Sequence, residues 1–355
     1  MGKKYNKLIV IFFIVAMIAL TGQSCGRSPK DAGILRSFDG GLSFEFKNWV
    51  EKEDDLAGVS FNTIIVNPLN PNEILAGSST KGFYRSTDKG ETWENVVFSS
   101  GDARVIEFDP TNEQVVFFGI DSSIYKTEDG INVREVFVDQ TGYIEDIVIL
   151  ASDPNTVYAI TSSGNYIVSA DRGENWRALS FIDGFPRRVI IDPVNPLQVL
   201  VGTQGEGIYR SLDGGNTFSP SSFENFDETS KLTQTVNDMS LNPFNPSEVV
   251  AATDYGLFKS SDTGRSWSMM DTLVIPGTVP LRAVEYHPIV QNVIFFTSGN
   301  SVYISENGGS SWSVTELETT REIYDIAIHP NDKNEMYLSV KGAGQKKSPV
   351  DFLSF

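Results

Sequence analysis

The chain has 355 residues, 40% of them hydrophobic, and carries 46 acidic against 28 basic side chains for a formal charge of -18. Such an acidic surface repels phosphate backbones and argues against nucleic acid as a partner. A single cysteine excludes an internal disulfide, two histidines offer little to a metal, and no metal or cofactor is expected.

The first element is an export signal. Lys3, Lys4 and Lys7 precede thirteen apolar residues, Leu8 to Leu20, and then the small, polar stretch TGQSC. The apolar run is too short for a bilayer core of ~30 Å, so residues 1–24 read as a cleaved signal peptide. Cys25 follows the cleavage point in a segment that resembles a bacterial lipobox, with Gly22 where that pattern prefers leucine. Lipidation at Cys25, a tether over residues 25–32 and anchoring in a bacterial cell envelope, periplasmic or surface-exposed, are the expectations. Loss of residues 1–24 removes three lysines and no acid, moving the charge to -21.

From residue 33 to 342 the chain repeats. Seven short boxes recur 41 to 49 residues apart: SFDGGLSF (37–44), STDKGETW (86–93), a shortened TEDGINV (127–133), SADRGENW (169–176), SLDGGNTF (211–218), SSDTGRSW (260–267) and SENGGSSW (305–312). Seven Pro- and Asn-rich turns, such as VNPLNPNEILAG and IDPVNPLQVLVG, alternate with them. Between these landmarks lie runs of four to six β-branched and aromatic residues, so each unit reads as four strands and no helix is expected after the signal. A four-stranded unit of ~40 to 45 residues has the period of a propeller blade, and seven units predict a single all-β seven-bladed propeller. Because the repeat begins with a box and ends with a first half-unit (323–340), strand exchange between the chain ends is expected to close the ring and remove open edges. Residues 343–355 form a tail.

The sequence pattern N-P-x-N-P, G-Φ-Y-R-S (Φ apolar), S-x-D-x-G-x-T-W resembles the Asp-box (BNR) repeat propellers, a group that includes sialidases, sortilin-type receptors, oligoxyloglucan-processing hydrolases and a photosystem II assembly factor. Asp39, Asp88, Asp129, Asp171, Asp213 and Asp262, with Asn307 in the last box, are expected to accept turn amides, and Gly90 to relieve a strained backbone angle. Trp93, Trp176, Trp267 and Trp312 share one position, where they would wedge between sheets. A catalytic or calcium role would need carboxylates gathered in one place; one per blade scatters them round the circumference.

Function is expected on the opposite face, where three blade crossings are enlarged: 48–61, 219–234 and 269–282. Six residues before each turn proline stand Asn62, Arg104, Arg187, Asn237, Arg282 and Tyr324, with Glu145 in the third unit, and the next position adds Asp146, Arg188, Asp238 and Asp325. These would ring the mouth of the pore. Three arginines at one register either hold an anionic ligand by forked hydrogen bonds or pair with aspartates across blade seams, Arg104 with Asp146 and Arg187 with Asp146 and Asp238. His287 and His329 precede turn prolines on the other face. A sialidase should show an early F-R-I-P-type segment, absent here; the oligoxyloglucan-type hydrolases resemble two propellers facing across a cleft, whereas one is present. The expectation is therefore a monomeric, non-catalytic scaffold presenting its loops to an envelope protein or a glycan and touching the membrane only through its anchor, with a glycoside hydrolase or sialidase-like enzyme as the alternative.

Overall fold

A computed structural model describes residues 31–50, 55–96, 98, 100–224 and 235–342. The signal peptide, Cys25 and the tail lie outside the described residues, as do 51–54 and 225–234 of two enlarged crossings. The rest forms seven sheets, antiparallel except where Ser222–Phe223, from the crossing 219–234, adds a parallel fifth strand beside Ser266–Met269, with one 3-10 turn, Leu56–Gly58, as the helical exception among the described residues.

Blade 1 shows the plan: Phe61–Val66, Ile74–Ser78, Phe83–Ser86 and Glu94–Val96, paired in that order. Blades 2 to 6 follow with inner strands Ala103–Phe108, Ile144–Leu150, Phe185–Ile191, Val236–Leu241 and Leu281–Tyr286. In the seventh sheet Gly33–Ser37 pairs with Met336–Val340, from Gly33 opposite Val340 to Ser37 opposite Met336, and Ile323–Ile328 is innermost. The second strands ILAGS, VFFGI, VVAAT, IFFTS and MYLSV are buried at every residue, because neighbouring blades cover both faces. That two-sided burial explains their continuous apolar runs.

The boxes act within their own hairpins. Ser86 Oγ donates to Asp88 Oδ1 at 2.8 Å and accepts from Gly90 N at 2.7 Å, while Thr92 donates to Asp88 through N and Oγ1 at 2.8 and 2.7 Å. The same pattern holds Asp171, Asp213 and Asp262, and Asn307 reproduces it with an amide. Gly90 has φ +83°, and the residue before it also turns left-handed even where it is Lys89 (+63°) or Arg172 (+58°). The histidines have a matching job at the other turn: Ile289 N donates to His287 Nδ1 at 3.2 Å and Asn331 N to His329 Nδ1 at 3.1 Å, where Asn67 and Asp192 accept Leu69 N and Val194 N. Burial pushes both imidazoles below their ordinary pKa. They cap turns as neutral rings.

The inner strands position the candidate site. In every one the register slips near its start, between Phe61 and Thr63, Ala103 and Val105, Ile144 and Asp146, and at the equivalent places in the other four. A bulge inserts an unpaired residue and re-aims its side chain. The unpaired residue is Asn62, Arg104, Glu145, Arg187, Asn237, Arg282 or Tyr324.

Candidate functional site

The bulges gather all seven of these side chains around one cavity of about 310 Å³ at the mouth of the channel, with Arg188, Asp238 and Asp325 at its base. Asp102, Ser79 and Lys341 complete the wall. Of the crossing 269–282 Arg282 alone lines the cavity, and Phe223 from the preceding crossing is packed against Phe258 instead, with ring centres 5.2 Å apart.

The arginines divide between the two expectations. Arg104 donates from Nε to Asp102 at 2.8 Å and from Nη1 to Glu145, and its guanidinium lies 4.2 Å from the Tyr143 ring centre. Burial works against its charge, but Glu145 and Asp102 outweigh this and raise its pKa. Arg282 pairs with Glu322 at 2.7 Å and more loosely with Asp254 at 3.6 Å. Arg187 differs: it donates to the Asn237 amide oxygen at 3.1 Å and has no salt bridge among the described residues. Lys341 rests 4.8 Å above the Tyr324 ring. Burial raises Glu145 above the usual carboxyl range despite Arg104 and Arg187.

Below the mouth, Arg188 rather than Arg187 meets the aspartates, at 2.8 Å from Asp238 and 3.6 Å from Asp146. Each aspartate also staples its blade to the next: Asp146 accepts Val189 N, Asp238 accepts Val284 N and Asp325 accepts Ile64 N, at 2.9 to 3.0 Å. The expected pairing of Arg104 and Arg187 with these groups is thus corrected, because bulged side chains turn up to the mouth while the following residue points down the channel. A second cavity of about 290 Å³ beneath Arg188 is faced by Glu107, Asp146, Glu285 and Asp325. Sequence reading missed Glu107 and Glu285; their signal was the bulge, which puts residues three apart on one side of the strand. Burial, then Asp146 for Glu107 and Asp238 for Glu285, pushes each of these carboxyls up to about 8, and burial pushes Asp325 up to about 6.

This cluster predicts a pH dependence of stability. The folded protein retains protons on Glu107 and Glu285 between about pH 4.5 and 8 that the unfolded chain releases, so stability falls as pH rises through that window. With channel water screening the groups, each is expected to contribute on the order of 1–2 kcal/mol. Asp171 and Asp213, held down to about 2 chiefly by the side chains of Asn175 and Thr217, oppose this only as pH falls below about 4. Melting curves at pH 5 and 8.5 should show the acidic sample more stable. A Glu107→Gln, Glu285→Gln double variant should lose most of that slope, and an unchanged slope would refute the assignment.

No family model matches the chain. The chain is similar to xyloglucanases. It is 25% identical over 312 residues to the xyloglucanase Xgh74A of Acetivibrio thermocellus, covering 74% of this chain and 36% of that protein. The xyloglucanase of Hypocrea jecorina is 26% identical over 258 residues, covering 62% of this chain and 27% of that one. The chain therefore spans about a third of the length of the curated relatives it matches. Among solved structures, the GH74 xyloglucanase of Xanthomonas campestris superposes with a TM-score of 0.67 at 14% identity over 81% of this chain and 51% of that one. YCF48 from Cyanidioschyzon merolae gives 0.61 at 16% over 79% and 95%. At such identities the structural likeness establishes the propeller fold alone.

The curated relatives overturn the expectation of a non-catalytic scaffold, since the sequence similarity runs to glycoside hydrolases. That expectation rested on counting one propeller as half a cleft. Blade number follows from the repeats and says nothing about the chemistry of the mouth residues.

Proposed function

We propose that this chain is an exported Asp-box repeat protein of glycoside-hydrolase type, acting at its pore mouth on a xyloglucan-like glucan. The observation that carries the reading is the similarity to xyloglucanases across 74% of the chain. The chemistry of the mouth is compatible with it. Arg187, which makes one hydrogen bond to Asn237 and lines the cavity, offers donors for sugar hydroxyls, and Tyr143, 45% exposed, offers an aromatic ring beside Arg104. Glycoside hydrolysis needs a carboxyl that yields a proton to the leaving oxygen and a carboxylate that activates water or attacks the sugar. Glu145, raised by burial, is assigned the first role. Asp102, across Arg104 and accepting from Asn62 at 2.7 Å, is assigned the second.

The test is release of reducing ends from xyloglucan and its oligosaccharides by the full chain. Glu145→Gln is expected to lower kcat by about 10²–10⁴ with little change in melting temperature. A wild-type protein that releases no reducing ends from xyloglucan or unbranched β-glucan would overturn the reading. Export and anchoring rest on the order of charged, apolar and small residues ending at Cys25. Cys25→Ser is expected to move the protein from the membrane fraction to the soluble envelope fraction; a processed variant that stays with the membrane would rule out the lipid.

A further inference from the structure

Six of the seven boxes end in an aromatic residue: Phe44, Trp93, Trp176, Phe218, Trp267 and Trp312. Each ring fills the seam against the preceding blade. Trp93 Nε1 donates to Lys47 O at 2.8 Å, Trp312 Nε1 to Asp271 O at 2.9 Å, and Phe218 stands edge-on to Tyr166 with ring centres 5.6 Å apart. The box of blade 2 is one residue shorter, with Ile131 N and Asn132 N both donating to Asp129, and Val133 stands where the ring should be. A cavity of about 150 Å³ lies in that seam, floored by Leu75 and Val96 of blade 1 and by Val116, Phe118 and Val133 of blade 2.

We propose that this seam is a binding pocket for a ligand of the aromatic-cation class, a flat ring of indole size with a positive charge beside it. The other seams of the same ring show what their shape accepts. The polar rim supplies the charge preference: Glu73 is neutralised by Arg85 at 2.6 Å, leaving the carboxylates of Glu113 and Asp129 in excess. Hydrogen bonds from Asn132, backbone first, hold Asp129 well below the usual carboxylate range, so its charge persists at neutral pH. The inference is independent of the glycan reading, because no residue of the pore mouth lines this pocket.

Tryptamine titrated into the full chain and followed by calorimetry is expected to bind, with indole-3-acetate weaker by about fivefold, the size of an exposed charge pair. Val133→Trp supplies the missing wedge and should raise the melting temperature while abolishing tryptamine binding. Glu113→Lys, a surface change that leaves the hairpin intact, should weaken tryptamine and favour indole-3-acetate. Absence of tryptamine binding to the wild type, or equal binding to both variants, would overturn the proposal.

Discussion

Replacing Arg188 with alanine is expected to cost about 3 kcal/mol of stability, the lower end of the range for breaking a buried ion pair, because the guanidinium reaches channel water while its partners do not. The Asp146 and Asp238 side chains are only 6% and 10% exposed, against 38% for Arg188. Without the cation, both carboxylates remain fixed by the seam amides of Val189 and Val284, close to Asp325 and Glu285, with no counter-charge. Urea denaturation of Arg188→Ala beside Arg187→Ala separates the two neighbours, since Arg187 holds one amide oxygen at the mouth and its loss should change stability little. A triple variant, Arg188→Met with Asp146→Asn and Asp238→Asn, should recover part of the loss. Equal costs for the two single arginine variants would mean that Arg188 is not the hub of the channel.

Trp267→Ala is expected to lose about 3–5 kcal/mol, the range for emptying a large aromatic site in a core that relaxes only partly. The ring is fully buried, stacks on Phe223 at 6.4 Å between ring centres, and joins a cluster with Leu200 and Phe258 from two blades. Trp312 sits at the same box position but is only partly buried, and its indole N–H is held by Asp271 O. Trp312→Ala should therefore cost roughly half as much. The comparison tests the wedge directly: a loss at Trp267 below about 1 kcal/mol would show that the seams are not stabilised by these rings, and equal losses at both positions would show that burial does not set the size of the effect.

The blade count was legible because each unit repeats its own local instructions. Ser86, Asp88 and Gly90 specify their hairpin through contacts within four residues, and the period of the apolar runs specifies the strands. The ring of mouth residues was legible for the same reason, as its members share one distance from a turn proline. Their partners were not. Arg104 finds Glu145 41 residues away in the next blade, and Arg188 finds Asp238 50 residues away, distances at which sequence order carries no register.

The division follows from the range of the interactions. Local turn chemistry and strand periodicity are written in neighbouring residues, so the sequence by itself determined seven four-stranded units, their clasps and the missing aromatic in the third box. Only the tertiary structure decided which carboxylate met which arginine. It placed Glu107 and Glu285 in the channel and raised their pKa by burial, and it left a cavity in one seam. Those outcomes depend on the bulge in each inner strand and on the packing of blades against one another, and both arise when the ring assembles.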